Sequence, residues 1–199
     1  MQTIDTTQSV VGSVNRVLGA GYHGIIRYIS RDTSNFPQKR LTTKEAASIH
    51  AVPGMRIGLV YENDPVDSIY FTTEQAAEDG TDAIETFAAL KAPSQVPVFF
   101  TVDYDASDED LAGPILEYFS SLHAQFTKAG RLIGVYGSGQ SCSKLKEAGI
   151  VHFTWLAQST GWNGYSRWKT SADVIQGPES IVAGLDADTD YVVNEAVLW

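Results

Sequence analysis

Short apolar runs in this chain end repeatedly in a carboxylate. The clearest is Val98-Phe99-Phe100-Thr101-Val102, which leads into Asp103-Tyr104-Asp105; Ile4-Asp5, Leu59-Val60-Tyr61-Glu62 and Leu185-Asp186 repeat the placement. An acid just past a buried strand costs desolvation unless it is hydrogen-bonded, paired or used. Side chains alternate faces along a strand, so Thr101, Asp103 and Asp105 are expected on one face. Several such acids converge only in a fold that gathers strand ends.

Strand-like runs alternate with amphipathic stretches. Strands are expected over 2–5, 24–29, 56–61, 97–103, 132–136, 152–157, 173–176 and 182–186, and helices over 8–19, 43–51, 74–91, 114–128 and 140–148. Thr42-Thr43-Lys44-Glu45 and Thr72-Thr73-Glu74-Gln75 have capping-box spacing. Pro114 suits a first helical turn and Gly130 a stop. The alternation predicts an α/β fold with a parallel sheet. No Gly-rich phosphate loop follows the first strand, which argues against an open doubly wound sheet. A closed barrel places all strand C-terminal ends around one mouth, where acids of the first, middle and last strands can meet. The expected fold is a small, irregular TIM-type (β/α) barrel spanning 1–199 as one domain, with its catalytic face at the C-terminal ends of the strands. Residues 157–172, rich in Gly, Ser, Trp and Tyr, read as a loop over those ends.

The net charge of −10 and pI near 4.7 argue against a nucleic-acid partner or an anionic membrane surface. A single cysteine, Cys142, allows no internal disulfide. No basic-then-apolar leader opens the sequence, which fits cytosolic residence, leaderless export or a trimmed leader. No apolar stretch approaches the roughly 20 residues of a membrane span. The four histidines have no zinc spacing, and Gly137-Ser138-Gly139-Gln140-Ser141-Cys142 matches neither a dinucleotide fingerprint nor a nucleophile elbow.

Two carboxylates on one strand face suit acid–base work, because repulsion raises one pKa, and they also suit a metal. Asp5 doubles as an N-cap, and Asp186, Asp188 and Asp190 as an acidic turn. Arg27, inside an apolar strand, requires an acid partner or a substrate. Tyr136, Trp155, Gln158, Trp162 and Gln176 combine aromatic faces with amides, the means by which proteins hold sugar rings.

Nine short stretches, in order, carry a resemblance. They are Ile4-Asp5-Thr6-Thr7, Gly24-Ile25-Ile26-Arg27-Tyr28-Ile29, Lys39-Arg40-Leu41-Thr42, Val60-Tyr61-Glu62, Thr101-Val102-Asp103-Tyr104-Asp105, Ile133-Gly134-Val135-Tyr136-Gly137-Ser138, Trp155-Leu156-Ala157-Gln158-Ser159, Gln176-Gly177 and Leu185-Asp186-Ala187-Asp188. Together they resemble the glycoside-hydrolase-like domain first catalogued as domain of unknown function 1906, a relative of the family-25 lysozymes. The resemblance implies an irregular barrel that hydrolyses peptidoglycan. It places Asp5 at the first-strand acid, Asp103 and Asp105 at the Asp-x-Glu pair, and Asp186 at the last-strand acid. The lysozyme proton donor is Glu, and here that position is Asp105, one methylene shorter; Glu62 is the alternative donor and Asp103 the nucleophile, base or stabiliser. Arg27, Tyr61, Tyr136, Trp155, Gln158, Trp162 and Gln176 are then substrate contacts. The expectation is a monomeric glycosidase, secreted or acting at the cell wall or periplasm on glycan strands, without metal or other cofactor. The alternatives are a silent glycan-binding barrel and a metal-dependent hydrolase using the same acids.

Overall fold

The computed structural model describes residues 1–199. Eight strands close into a barrel in chain order: β1 (Gln2–Thr6), β2 (Gly24–Tyr28), β3 (Arg56–Tyr61), β4 (Pro97–Thr101), β5 (Leu132–Gly137), β6 (Phe153–Leu156), β7 (Val174–Val182) and β8 (Leu185–Val192). β1 to β7 pair in parallel, and β8 lies antiparallel between β7 and β1. The intervening helices are α1 (Val14–Gly19), α2 (Thr43–His50), α3 (Thr73–Leu90), α4 (Asp108–Ala112), α5 (Pro114–Lys128), α6 (Gly139–Glu147) and α7 (Tyr165–Trp168). This is a TIM-type α/β barrel in which the last helix is replaced by a hairpin. No helix is long and apolar enough to cross a membrane.

Local chemistry explains most boundaries. The hydroxyls of Thr42 and Thr72 accept from the Glu45 and Gln75 amides at 3.1 and 3.0 Å, starting α2 and α3. Pro114 opens α5. The helix expected over 8–19 begins only at Val14, because Gly12 sits at φ +80°. The strands expected over 173–176 and 182–186 are parts of one long hairpin. Ala183 and Gly184, at φ +56° and +85°, form the two-residue turn between Val182 and Leu185. The chain therefore reverses where a parallel last strand was expected.

Alternation sorts each strand into two buried faces. Inward residues include Ile26, Val60, Phe99, Tyr136, Trp155 and Val174, and Val197 and Leu198 close the barrel at the far end. Inward space is tight: a Cβ on Gly134 would lie 2.5 Å from the Phe99 ring, and one on Gly58 2.9 Å from Leu198. Outward residues, such as Ile25, Leu59, Val98 and Phe100, pack beneath the helices.

Arg27 is on the outward face, fully buried. Its Nε donates to Glu45 Oε1 at 2.9 Å, and its other nitrogens reach the carbonyls of Gln38 and Thr6. The sequence allowed a substrate contact here, but Arg27 faces α2 rather than the mouth, because its neighbour Tyr28 takes the inward position. Glu45 is equally buried and also accepts from the Val10 amide at 2.9 Å. Removing the cation strands a buried carboxylate, so Arg27→Leu should cost about 3–5 kcal/mol in urea unfolding. A variant as stable as the wild type would refute this structural role.

Candidate active site

The C-terminal ends of the strands, and the N-terminal half of β8, form the mouth. Asp5 is the inward residue near the end of β1, and the β1–β8 register sets Asp188 directly opposite it. Glu62 and Asp103 follow β3 and β4 with the same parity as Val60, Phe99 and Thr101. Two cavities, of about 650 and 370 Å³, open here and meet at Tyr28 and Asp188. The narrower is lined by Glu62, Thr101, Asp103, Tyr136, Trp155 and Trp162, among others. The wider runs from Asp5 past Gln8, Phe36 and Gln38 to Glu179 and Asp186.

Gln176 ties the floor together. Its amide nitrogen donates to Asp188 Oδ2 at 3.1 Å and to Asp5 Oδ2 at 3.3 Å. Its oxygen accepts from the Tyr136 hydroxyl at 2.8 Å and the Gln158 amide at 3.3 Å. The Tyr28 hydroxyl donates to Asp5 Oδ1 at 3.3 Å. Below lies Asp190, whose Oδ1 accepts from the Trp155 indole at 3.0 Å. As a carboxylate its Oδ2 has no partner; protonated, it can donate to Asp5.

Protonation follows burial. Desolvation first, then the charge of Asp188, pushes Asp5 up to about 8. Asp190 is raised well above its ordinary range by burial and by Asp5 and Asp188. The two form one unit that holds a proton at neutral pH. Asp103 is pushed up to about 6 by burial, then by Glu62, Asp64 and Asp188, against the pull of Lys39. Asp188 is raised by burial and by Glu179. Glu62 is paired with Lys39 Nζ at 3.0 Å, and the same ammonium donates to the Glu62 carbonyl at 2.9 Å.

Asp5, Glu62, Asp103, Tyr136, Trp155, Gln158, Trp162 and Gln176 therefore gather at the mouth. Three expected residues do not. β4 ends at Thr101, and the Asp103 amide turns away to the Pro65 carbonyl at 3.0 Å. Strand parity thus no longer applies at Asp105, whose exposed carboxylate accepts from the Asn163 amide at 2.8 Å and side chain at 3.1 Å. Tyr61 faces outward, donating to Asp82 at 3.1 Å; the residue beside an inward Glu62 must point the other way. Arg27 lies outward for the same reason. Asp186 lines the outer end of the wide arm, where Gln8 Nε2 donates to it at 3.1 Å, and Asp188 takes the central place. Sequence reasoning missed Asp188, Asp190, Tyr28 and Lys39 as site residues. The alternation Asp186-Ala187-Asp188-Thr189-Asp190 was the available signal. No three His, Cys, Asp or Glu side chains are grouped so as to hold a metal ion.

The family model of the Rv2525c-like, glycoside hydrolase-like domain matches residues 15–192. The Bacillus subtilis (strain 168) protein YbfG is 32% identical over 155 residues, 72% of this chain and 21% of that protein. FadG of the same organism is 24% identical over 149 residues, 73% of the chain and 26% of that protein. The chain thus spans about a fifth to a quarter of these relatives. Among solved structures, the Mycobacterium tuberculosis Tat-secreted protein Rv2525c superposes with a TM-score of 0.81 at 19% identity, covering 96% of this chain and 95% of that one. The catalytic domain of endolysin ply40 from bacteriophage P40 of Listeria monocytogenes gives 0.65 at 15% identity, covering 99% and 95%. The modular autolysin LytC from Streptococcus pneumoniae gives 0.59 at 15%, covering 96% of this chain and 46% of LytC. At these identities the superpositions establish a shared fold.

The floor acids make stability pH-dependent. The folded chain keeps a proton on Asp5 up to about 8, whereas the unfolded chain releases it near the ordinary 3.8. Stability is therefore fully present at low pH and declines as pH rises through that window. Asp5→Asn preserves the shape and can donate to Asp190. Urea unfolding at pH 5 and pH 8.5 should show the wild type losing stability with pH and the variant losing less, the difference being on the order of 2 kcal/mol or more. Parallel pH profiles would contradict a buried proton on Asp5.

Proposed function

The chain belongs to the Rv2525c-like, glycoside hydrolase-like domain family, and from that premise we propose that it cleaves a cell-wall polysaccharide, peptidoglycan glycan strands in the first instance, outside the cell membrane. One observation carries the reading: Glu62 and Asp103 line the same cleft in different environments, Asp103 half-buried and raised to about 6, Glu62 ion-paired with Lys39 at 3.0 Å. Two carboxyls held in different environments at one cleft are suited to acid and base roles.

Asp103, half-buried and raised to about 6, is the general acid that protonates the leaving glycosidic oxygen. Glu62, fixed by Lys39, is the facing carboxylate that meets the oxocarbenium-like charge as stabiliser, nucleophile or base. Asp105, the donor suggested by the lysozyme pattern, is committed to Asn163 outside the cleft. Asp5, held by Gln176 and Tyr28 and sharing the floor's proton with Asp190, is placed to hydrogen-bond a sugar hydroxyl. Trp162, partly exposed on the wall of the narrow arm, supplies an aromatic face for a sugar ring.

Reducing-end release from purified peptidoglycan tests the assignment. A general acid must carry its proton, so kcat/KM should fall above about pH 6, approaching tenfold per pH unit. Asp103→Asn should lower it by about a hundredfold or more, and Asp105→Asn should leave a much smaller effect. Full activity in Asp103→Asn would remove Asp103 from the chemistry. EDTA should not reduce cleavage.

Trp162→Ala should weaken binding of a cell-wall oligosaccharide by roughly 1–3 kcal/mol in calorimetric titration, the scale of a buried aromatic contact. Unchanged affinity would mean that the late loop is not a sugar platform.

A further inference from the structure

Donors and acceptors do not balance in the narrow arm. Acceptors are plentiful, because the carboxyl groups of Glu62, Asp103 and Asp188 all line it. The donors set into the same wall are spent within the protein. The Tyr28 hydroxyl goes to Asp5, the Tyr136 hydroxyl to Gln176, and the Gln176 amide to Asp5 and Asp188. The Trp155 indole goes to Asp190, and its ring is packed edge-on against Phe99 and Tyr136. The remaining donors, on Gln158, Ser159 and Trp162, stand on the late loop and are exposed or half-exposed.

Thr101 is the exception. It ends β4 with the inward parity of Phe99, and its register partner on β5 is the inward Tyr136. It is 4% exposed, lines the narrow arm, and its hydroxyl has no hydrogen-bond partner. Four other buried polar side-chain atoms lack partners, on Thr3, Ser30, Tyr104 and Asp190, and none of those residues lines either arm. A buried hydroxyl without a partner is a cost to folding. Functional sites are where such costs are retained, because a ligand can recover them.

The arm holds about 370 Å³, near the lower end for small-molecule pockets, which suits one sugar ring rather than several. The hydroxyl protons of such a ring are met by the carboxylates. Its ring, glycosidic or acyl oxygens are acceptors and need a donor. A ring turned so that one of these oxygens faces a carboxylate is repelled, so a single buried donor sets the orientation of the ring. We propose that the Thr101 hydroxyl is a specificity-determining contact, donating to an acceptor oxygen of the sugar ring seated in the narrow arm. This rests on the glycan reading above and adds a recognition residue to it. Thr101 lies two residues before Asp103, so the contact also fixes the glycan relative to that acid.

Two substitutions and two measurements test the assignment. Thr101→Val exchanges the hydroxyl for a methyl group of nearly the same shape, and Thr101→Ser keeps the hydroxyl. Each is compared with the wild type by urea unfolding and by calorimetric titration with a tetrasaccharide of alternating N-acetylglucosamine and N-acetylmuramic acid. The hydroxyl is unpaired in the free protein, so Thr101→Val should unfold at the same urea concentration as the wild type or a higher one. Its affinity for the tetrasaccharide should nevertheless fall about tenfold, because the sugar oxygen is then buried without a donor. Thr101→Ser should keep most of the affinity. Undiminished affinity in Thr101→Val would remove Thr101 from recognition and leave the glycan reading standing. A loss shared equally by Thr101→Ser, or accompanied by easier unfolding of Thr101→Val, would assign the effect to packing and overturn the proposal as well. A wild type that does not bind the tetrasaccharide would overturn both.

Discussion

A closed barrel gives each strand side chain only two destinations, and over most of the strand both are buried. A charged group on a strand therefore needs either the open mouth or a dedicated partner. The acids here take the first route and Arg27 the second. Asp5, Glu62 and Asp103 are inward and near strand ends, where the lumen opens. Arg27, one residue before an inward tyrosine, faces the helix layer and is viable because α2 brings Glu45 to it. The same parity separates Tyr61 from Glu62 and gives the outward tyrosine a structural partner in Asp82.

The outward contacts hold the inward acids in place. Glu62 is flanked by Tyr61, bonded to Asp82, and by Asn63, whose side chain donates to the Tyr61 hydroxyl and to Asp79. Lys39, its ion-pair partner, precedes Arg40, which pairs with the same Asp82. Asp79 in turn accepts from the Tyr70 and Tyr118 hydroxyls. A network behind the barrel wall thus fixes both halves of the Lys39–Glu62 pair. On the opposite side, Gln176 donates to both Asp5 and Asp188, Tyr28 adds a second bond to Asp5, and Gln176 accepts from Tyr136 and the loop amide of Gln158. Such connected networks rigidify a site when every member is satisfied. The unpartnered Asp190 Oδ2 beneath Asp5 is the exception, and a retained proton resolves it.

Most of this frame was legible in the sequence. The capped helices α2 and α3, the proline-led α5 and strands β1 to β6 follow from periodicity and end signals, and the acids at strand ends suffice to favour a barrel. What was not legible depends on direction. A parallel last strand and an antiparallel one have the same composition, and only the Ala183-Gly184 turn distinguishes them. The resemblance put the last-strand acid at Asp186, which lines the outer end of the wide arm, while the β1–β8 register that follows this turn sets Asp188 opposite Asp5. Likewise, nothing local to Thr101-Val102-Asp103 says that the chain leaves the sheet there. The Asp103 amide is drawn to Pro65, a residue distant in sequence, so the shared face inferred for Asp103 and Asp105 was lost. For Arg27 the sequence left an acid partner and a substrate open, and the acid partner, Glu45, is the one that forms; Tyr61 points outward because, once Glu62 is inward, its preceding neighbour cannot be.

The position where the lysozyme pattern has its glutamate repays closer attention. Asp105 makes two hydrogen bonds to one residue, Asn163, through both backbone and side chain. Asn163 directly follows Trp162, and its carbonyl accepts from the Gln140 amide at the start of α6 at 2.9 Å. The short carboxylate thus joins the loop after β4 to the late loop and fixes the wall on which Trp162 stands. A carboxylate engaged this way cannot also reach the centre of the cleft. If the barrel is a glycosidase, its proton must come from a residue nearer the lumen. Asp103 meets that requirement through burial and the neighbouring negative charge, which keep its proton available near pH 6. The exchange of Glu for Asp is then a division of labour, in which one acid of the pair shapes the groove and the other stays in it.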